Sequence, residues 1–267
     1  MKTRVISAAF LLAMVGFCMF FSPVTRVVFL CAAAMIAAKE MRDVQGVMGR
    51  RAPLLPALCY IALHGTLCMV SAPLWALVAL FVAAVLVQLC ICIVDARFRA
   101  AGAEGALFCM VYPTALFAVI IRLSFAENWL QFFAVGALAT WLCDAFALFG
   151  GMAFGKHKLA PEVSPKKTIE GSVCGALMSL VGGLAAWVLL GSDSMPALWV
   201  CMAAALLAST MGQFGDLAAS LFKRQSGVKD YSNLIPGHGG MMDRADSLLF
   251  SIPTAWLCFQ LAALLAA

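Results

Sequence analysis

The chain has 267 residues, of which 64% are hydrophobic and only 12% are charged, and its formal net charge is +5. In soluble domains roughly a quarter of all residues are charged. This composition therefore excludes a soluble globular protein and predicts an integral membrane protein. The positive charge would suggest nucleic-acid binding in a soluble chain. Here it is divided among short loops between apolar segments, and we expect no nucleic acid as a partner.

Nine apolar segments have the length of membrane-crossing helices, which need about 20 residues. In chain order they are 5–22, 24–38, 53–71, 73–94, 105–121, 129–149, 171–191, 197–222 and 247–267. The breaks fall at prolines and in charged loops, where helices end. The sequence therefore predicts an all-α, polytopic helical membrane protein of about nine transmembrane helices. The basic and apolar N-terminus resembles a signal peptide, but we interpret it as an uncleaved helix because no A-x-A site follows.

The positions of the basic residues predict the orientation of these helices. With the N-terminus in the cytoplasm, sixteen of the eighteen Lys and Arg residues fall in cytoplasmic segments, and only Arg26 and Arg122 fall outside. Cytoplasmic loops of membrane proteins carry such an excess. We therefore expect a protein of the inner or cytoplasmic membrane with its C-terminus outside. Residues 1–128 would form five scaffold spans with dimer and lipid contacts, and residues 129–267 a catalytic region with cytoplasmic loops 150–170 and 223–246.

The polar stretch SLFKRQSGVKDYSNLIPGHGGMMDRADS, residues 220–247, is unusual in so apolar a chain. Asp216 lies just before it, inside the eighth predicted span, and Ser220, Lys223 and Arg224 follow at i+4, i+7 and i+8 on the same helix face. A carboxylate at membrane depth is costly and is most often functional. The alternative is a structural ion pair with one of the two cations.

The same stretch continues into PGHGG, residues 236–240, whose glycines allow a backbone to approach a ligand closely. Asp243 and Asp246 follow at i and i+3, and two carboxylates at a helix start can hold a hard cation such as Mg²⁺. Carboxylates for a metal beside several cations for phosphates are typical of phosphoryl and nucleotidyl transfer. His238 is a candidate general base or hydrogen-bond donor to a phosphate, or else a residue that caps a turn.

Two sequence blocks resemble the phosphatidate cytidylyltransferase family, also called CDP-diacylglycerol synthases. The first block is the run S-x-x-K-R, K-D, P-x-H-G-G and D-R-x-D between Ser220 and Asp246, and the second is the loop FGKHKLAPEVSPKKTIEG. Together they cover the C-terminal half from Asp144 on. Leu148 and Met152 depart from the family pattern D-x-x-A-Y-x-x-G-R, which leaves the exact lipid acceptor open.

The resemblance implies a helical membrane enzyme that transfers CMP from CTP to phosphatidic acid, giving CDP-diacylglycerol and pyrophosphate in phospholipid biosynthesis. It also implies Mg²⁺ as cofactor, with a second cation left open, a homodimer surrounded by membrane lipids, and an active site that faces the cytoplasm. The implied catalytic residues are Asp216, Ser220, Lys223, Arg224, Asp243 and Asp246, among which Asp216, Asp243 and Asp246 would be metal ligands. The implied substrate-binding residues are Ser164, Lys166, Lys167, Thr168, Lys229, Asp230, His238, Gly239, Gly240, Arg244 and Asp144.

Two alternative functions remain at this point. A CTP-dependent polyprenol or phytol kinase is also a multi-span enzyme but takes an alcohol instead of a lipid phosphate. A secondary transporter would use Asp144 and Asp216 as coupling sites. The N-terminal half lacks a matching buried acid and the chain shows no internal repeat, both of which disfavour the transporter.

Overall fold

The computed structural model describes residues 14–234 and 239–266, and these are almost entirely helical. A short helical stretch at 14–20 precedes the first long helix. The labelled helices are α1 (Pro23–Val47), α2 (Leu55–Met69), α3 (Leu74–Val94), α4 (Arg99–Cys109), α5 (Leu116–Leu123), α6 (Trp129–Phe154), α7 (Ile169–Leu190), α8 (Leu198–Gln225), α9 (Met242–Ala245) and α10 (Leu248–Ala266). A π-helical turn, Met110–Ala115, joins α4 to α5, and the strands β1 (Lys158–Ala160) and β2 (Ser164–Thr168) lie between α6 and α7.

Six helices in the described part of the chain are long and apolar enough to cross a membrane. They are Leu74–Val94, Ala100–Leu123, Trp129–Phe154, Ile169–Leu190, Leu198–Gln225 and Met242–Ala266. A polytopic helical membrane protein is thereby confirmed. The count of nine spans and the orientation of the termini stay predictions, and half of the predicted first span, 5–22, lies outside the described residues.

Local sequence signals explain where α1 begins. Pro23 stands at its first turn, where a missing N–H costs nothing. Ser22 caps the helix, because its Oγ accepts a hydrogen bond from Thr25 N at 3.1 Å while Thr25 Oγ1 accepts one from Ser22 N at 3.1 Å. The predicted chain break at Pro23 is therefore a helix start with reciprocal capping.

The chain divides into two compact units. Unit 1 is Met1–Ala126 with Phe222–Arg244, and unit 2 is Glu127–Leu221 with Ala245–Ala267. Most of the polar stretch thus belongs to the same unit as the N-terminal helices, although it is distant from them in sequence. Within unit 1, helix α1 buries a face of small residues and Met41, with Ala34, Ala37 and Ala38 fully covered.

In unit 2, α6 and α7 pack closely through glycines. A Cβ atom at Gly171 would lie 2.5 Å from Ala147 O, and one at Gly175 would lie 2.5 Å from Cys143 O. Such distances leave no room for a side chain. The pattern GSVCG at the start of α7 therefore permits the close helix packing expected of small residues four apart.

A short antiparallel hairpin connects α6 to α7. Strand β1 pairs with β2, and Lys158 lies opposite Thr168. Glu170, in the first turn of α7, ties down the base of the hairpin, because it accepts hydrogen bonds from Lys156 N at 3.1 Å and from His157 N at 3.2 Å. The hairpin thereby fixes the position of the SPKKT residues that the sequence singled out.

Candidate active site

The carboxylate of Asp216, in α8 of unit 2, is paired with a lysine of the hairpin. Lys167 Nζ lies 2.5 Å from Asp216 Oδ2, and Ser220 Oγ donates a hydrogen bond of 3.3 Å to Asp216 Oδ1. Side-chain exposures of 29% for the lysine and 28% for the aspartate leave the pair reachable from outside the protein. The pair joins the SPKKT loop to a carboxylate that lies just before the polar stretch. Asp216 is thus paired with Lys167 and not with Lys223 or Arg224, the two cations considered from the sequence.

The other residues of SPKKT occupy different positions on strand β2. Thr168 is buried and caps α7, since its Oγ1 accepts a hydrogen bond from Gly171 N at 3.2 Å. Successive side chains of a strand point to opposite faces, so Lys166 lies on the face opposite Lys167, where it is exposed, and Ser164 is half-buried. The structure therefore does not gather these four residues on one surface.

In unit 1, Asp243 is held by three donors. Lys223 Nζ lies 2.7 Å from Asp243 Oδ1, and Asp243 Oδ2 accepts hydrogen bonds of 2.9 Å from Tyr231 N and Gly240 N. The side chains of the ion pair are 11% and 5% exposed. The carboxylate thus neutralises a buried ammonium group and holds the backbone at both Tyr231 and Gly240.

Two further contacts involve Tyr231 and Gly239, which lie beside this ion pair. Lys223 Nζ lies 5.4 Å from the ring centre of Tyr231, within the range of a cation–π interaction. Gly239 has a φ of +81°, a conformation that favours glycine, and a Cβ there would lie 2.9 Å from Asp243 Oδ2. The glycine of the PGHGG motif is therefore required by the backbone next to Asp243. His238 and its neighbours at 235–237 lie outside the described residues.

The remaining predicted residues are placed as follows. Asp246, in unit 2, is buried, and its Oδ1 accepts a hydrogen bond of 2.7 Å from Ser247 N just before α10. Those with exposed positions are Asp144, Arg224, Lys229, Asp230 and Arg244. The catalytic role of Arg224 and the substrate-binding roles of the other four stay predictions.

The fit of these carboxylates to a divalent metal ion differs from residue to residue. Within the described residues, no group of three or more His, Cys, Asp or Glu side chains is arranged to hold a metal. Mg²⁺ is commonly bound by one or two carboxylates together with substrate phosphates. Asp216 fits that chemistry, because it is partly exposed and has a hydroxyl beside it, whereas both oxygens of Asp243 accept hydrogen bonds from the chain.

Two polar residues near the predicted site, Glu40 and Gln213, were not identified from the sequence. In unit 1, Glu40 on α1 accepts hydrogen bonds from the polar stretch. In the sequence it stands between Lys39 and Arg42, just after a predicted span, where a group of charged residues is ordinary. In unit 2, Gln213 lies one turn before Asp216, donates to Cys143 Sγ at 3.2 Å and accepts a hydrogen bond from Ser172 Oγ. Its spacing from Asp216 was the signal that could have found it.

Comparison with known proteins assigns the class of the chain. A model described as the cytidylyltransferase family matches residues 2–262. Because the match covers nearly the whole chain, the protein belongs to the cytidylyltransferase family.

Individual curated relatives are similar to part of the chain. The chain is 43% identical over 124 residues to the phosphatidate cytidylyltransferase of Staphylococcus saprophyticus, which is 46% of this chain and 47% of that protein. It is 44% identical over 124 residues to the phosphatidate cytidylyltransferase of Staphylococcus aureus and 41% identical over the same length to that of Staphylococcus haemolyticus, with the same coverage. The aligned region thus spans about half the length of these curated relatives.

Proposed function

We propose that the protein is a phosphatidate cytidylyltransferase. The observation that carries the proposal is the family match over residues 2–262 in a chain that holds two Lys–Asp pairs, Lys167–Asp216 and Lys223–Asp243, in or next to the two family-like blocks. In the proposed reaction, a phosphate oxygen of phosphatidic acid attacks the α-phosphorus of CTP. The bond between the α-phosphorus and its bridging oxygen to the β-phosphate breaks, and pyrophosphate leaves.

The two lysines supply the charge that such a reaction needs. Phosphoryl and nucleotidyl transfer depend mainly on positioning and on neutralising the phosphates. Each ammonium group is held by a carboxylate at 2.5 or 2.7 Å, so both are ordered before a substrate arrives. We propose that substrate phosphates compete with these carboxylates for the lysines. Three exposed cations would attract the polyanion: Arg224 at the end of α8, Lys229 after that helix, and Arg244 in α9.

A divalent cation completes the proposal. Mg²⁺, when bound, would neutralise phosphate charge, and Asp216 with Ser220 would hold it. Further proposals are that Asp243 and Asp246 support the metal, that the protein is a homodimer, and that the reacting groups face the cytoplasm. The cytoplasmic orientation is supported by the many basic residues in the segments that contain the reacting groups.

The decisive experiment uses purified protein, phosphatidic acid and CTP carrying label on either the α- or the γ-phosphate. A cytidylyltransferase moves α-label, but not γ-label, into the chloroform-soluble product. A lipid kinase would move γ-label only when a polyprenol or phytol replaces phosphatidic acid, and a transporter would move neither label. Transfer of γ-label alone, or of no label, would refute the proposal. The family match already favours cytidylyl transfer over both alternatives.

A further inference from the structure

Helix α1 contributes a buried carboxylate that contacts the polar stretch within unit 1. Glu40 is only 4% exposed. Its Oε1 accepts hydrogen bonds from Ser232 Oγ at 2.6 Å and from Met241 N at 3.0 Å, and its Oε2 accepts one from Met242 N at 2.7 Å. These three donors are neutral groups that lie about two hundred residues further along the chain.

The contact between the Glu40 carboxylate and residues 240–242 depends on charge and on close approach. Hydrogen bonds to an ionised acceptor are roughly twice as strong as those between neutral groups, and a buried N–H that loses its acceptor is costly. A Cβ atom built on Gly240 would lie 2.5 Å from Glu40 Oε1. The close approach of the carboxylate therefore requires glycine at position 240.

Glu40 and Asp243 hold the same short segment through different atoms. Glu40 accepts the N–H groups of Met241 and Met242, while Asp243 accepts that of Gly240 and binds Lys223. The N–H groups of three consecutive residues are thus shared between two carboxylates. Loss of either carboxylate would free the backbone that sets the direction of the other.

We propose that Glu40 is a positioning residue of the active site. It holds residues 240–242 so that Asp243 keeps Lys223 in the orientation in which the lysine meets substrate phosphates. The inference rests on the proposed function. It adds a residue of the N-terminal half, outside both family-like blocks, to the groups on which the reaction rate depends.

The first test is Glu40→Gln, which keeps the size of the side chain but replaces one acceptor oxygen with a donor. We expect kcat per folded molecule to fall about 10- to 100-fold, the range that follows a misplacement of about 1 Å, with KM for CTP changed less than kcat. Glu40→Asp, which keeps the charge, should retain more activity than Glu40→Gln. The matched control is Asp43→Asn on the same helix, an acid with 47% side-chain exposure, which should leave kcat within about twofold of wild type.

The second test uses the contact between Glu40 and Gly240. Gly240→Ala should displace the carboxylate and lower kcat by itself. Because both changes disturb one contact, Glu40→Ala combined with Gly240→Ala should be no worse than the poorer single variant. Independent losses that multiply would show that the two residues do not act together and would overturn the inference.

The outcomes separate this inference from the proposed function. A wild-type protein that transfers no α-label refutes the function. An active wild-type protein with full kcat per folded molecule in Glu40→Gln refutes the positioning role and leaves the function standing. If Glu40→Gln yields no folded protein, Ser232→Ala decides, because it removes one of the three hydrogen bonds. Unchanged kcat in Ser232→Ala would then overturn the role of Glu40, and a severalfold loss would support it.

Discussion

Lys167 Nζ lies 2.5 Å from Asp216 Oδ2, so a lysine of the β-hairpin is paired with a carboxylate inside the long helix α8. This contact brings together two blocks of sequence that are about fifty residues apart. It also separates Lys167 from its neighbour Lys166, which lies on the other face of strand β2. The two lysines of SPKKT are therefore expected to differ in function.

Replacement of Lys167 tests this difference. We expect Lys167→Gln to lower kcat/KM for CTP by about tenfold or more, because a positioned cation near the phosphates is lost and Asp216 keeps no counter-charge. Lys166→Gln should have a smaller effect. Lys158→Gln, an exposed lysine of the same hairpin, serves as the control and should match wild type. Steady-state kinetics with phosphatidic acid in mixed micelles measures all three, and equal losses in the three variants would contradict the prediction.

Replacement of Asp216 tests the metal assignment. Asp216→Asn should reduce Mg²⁺-dependent transfer of α-label by about two orders of magnitude or more. The melting temperature should change little, because both side chains of the Lys167–Asp216 pair are partly exposed at the protein surface and ion pairs that are not buried contribute only about 0–1 kcal/mol to stability. Asp193→Asn, an exposed acid of unit 2, is the control. Unchanged Mg²⁺ dependence in Asp216→Asn would remove this residue from the metal site.

Asp243 should behave differently because its ion pair with Lys223 is buried. Asp243→Asn leaves the ammonium group of Lys223 without its counter-charge, and breaking a buried pair in this way costs about 3–5 kcal/mol of unfolding free energy. We therefore expect a clear fall in melting temperature together with loss of activity. The double variant Asp243→Asn with Lys223→Met should regain stability but not activity. A stable Asp243→Asn protein would contradict the structural role of the pair.

The orientation of the helices gives a prediction about the C-terminus. With sixteen of eighteen basic residues on the cytoplasmic side, a C-terminal alkaline phosphatase fusion should be active and a C-terminal green fluorescent protein fusion should be dark. The same reporters placed after residue 229, in a loop predicted to be cytoplasmic, supply the reversed control. A fluorescent C-terminal fusion would refute the arrangement of nine spans with the C-terminus outside.

Sequence alone determined the class of the protein, because too few charges are present to cover a soluble surface and because apolar segments of helical length are visible without any tertiary information. The polar stretch at 220–247 was likewise evident, since charged residues in an apolar chain stand out and their spacing along a helix follows from its period. The family also followed from the quoted motifs, and the match over residues 2–262 confirms it.

Only the tertiary structure decided how these residues are paired. Asp216 and Asp243 look alike in the sequence, yet one is half-exposed beside Lys167 and the other is buried between Lys223 and two backbone N–H groups. Glu40 resembled the charged residues around it, and its contact with Met241 and Met242 depends on how the chain folds back over about two hundred residues. Helical periodicity reports which residues share a face over a few turns, whereas pairings between distant segments depend on packing, which no local pattern encodes.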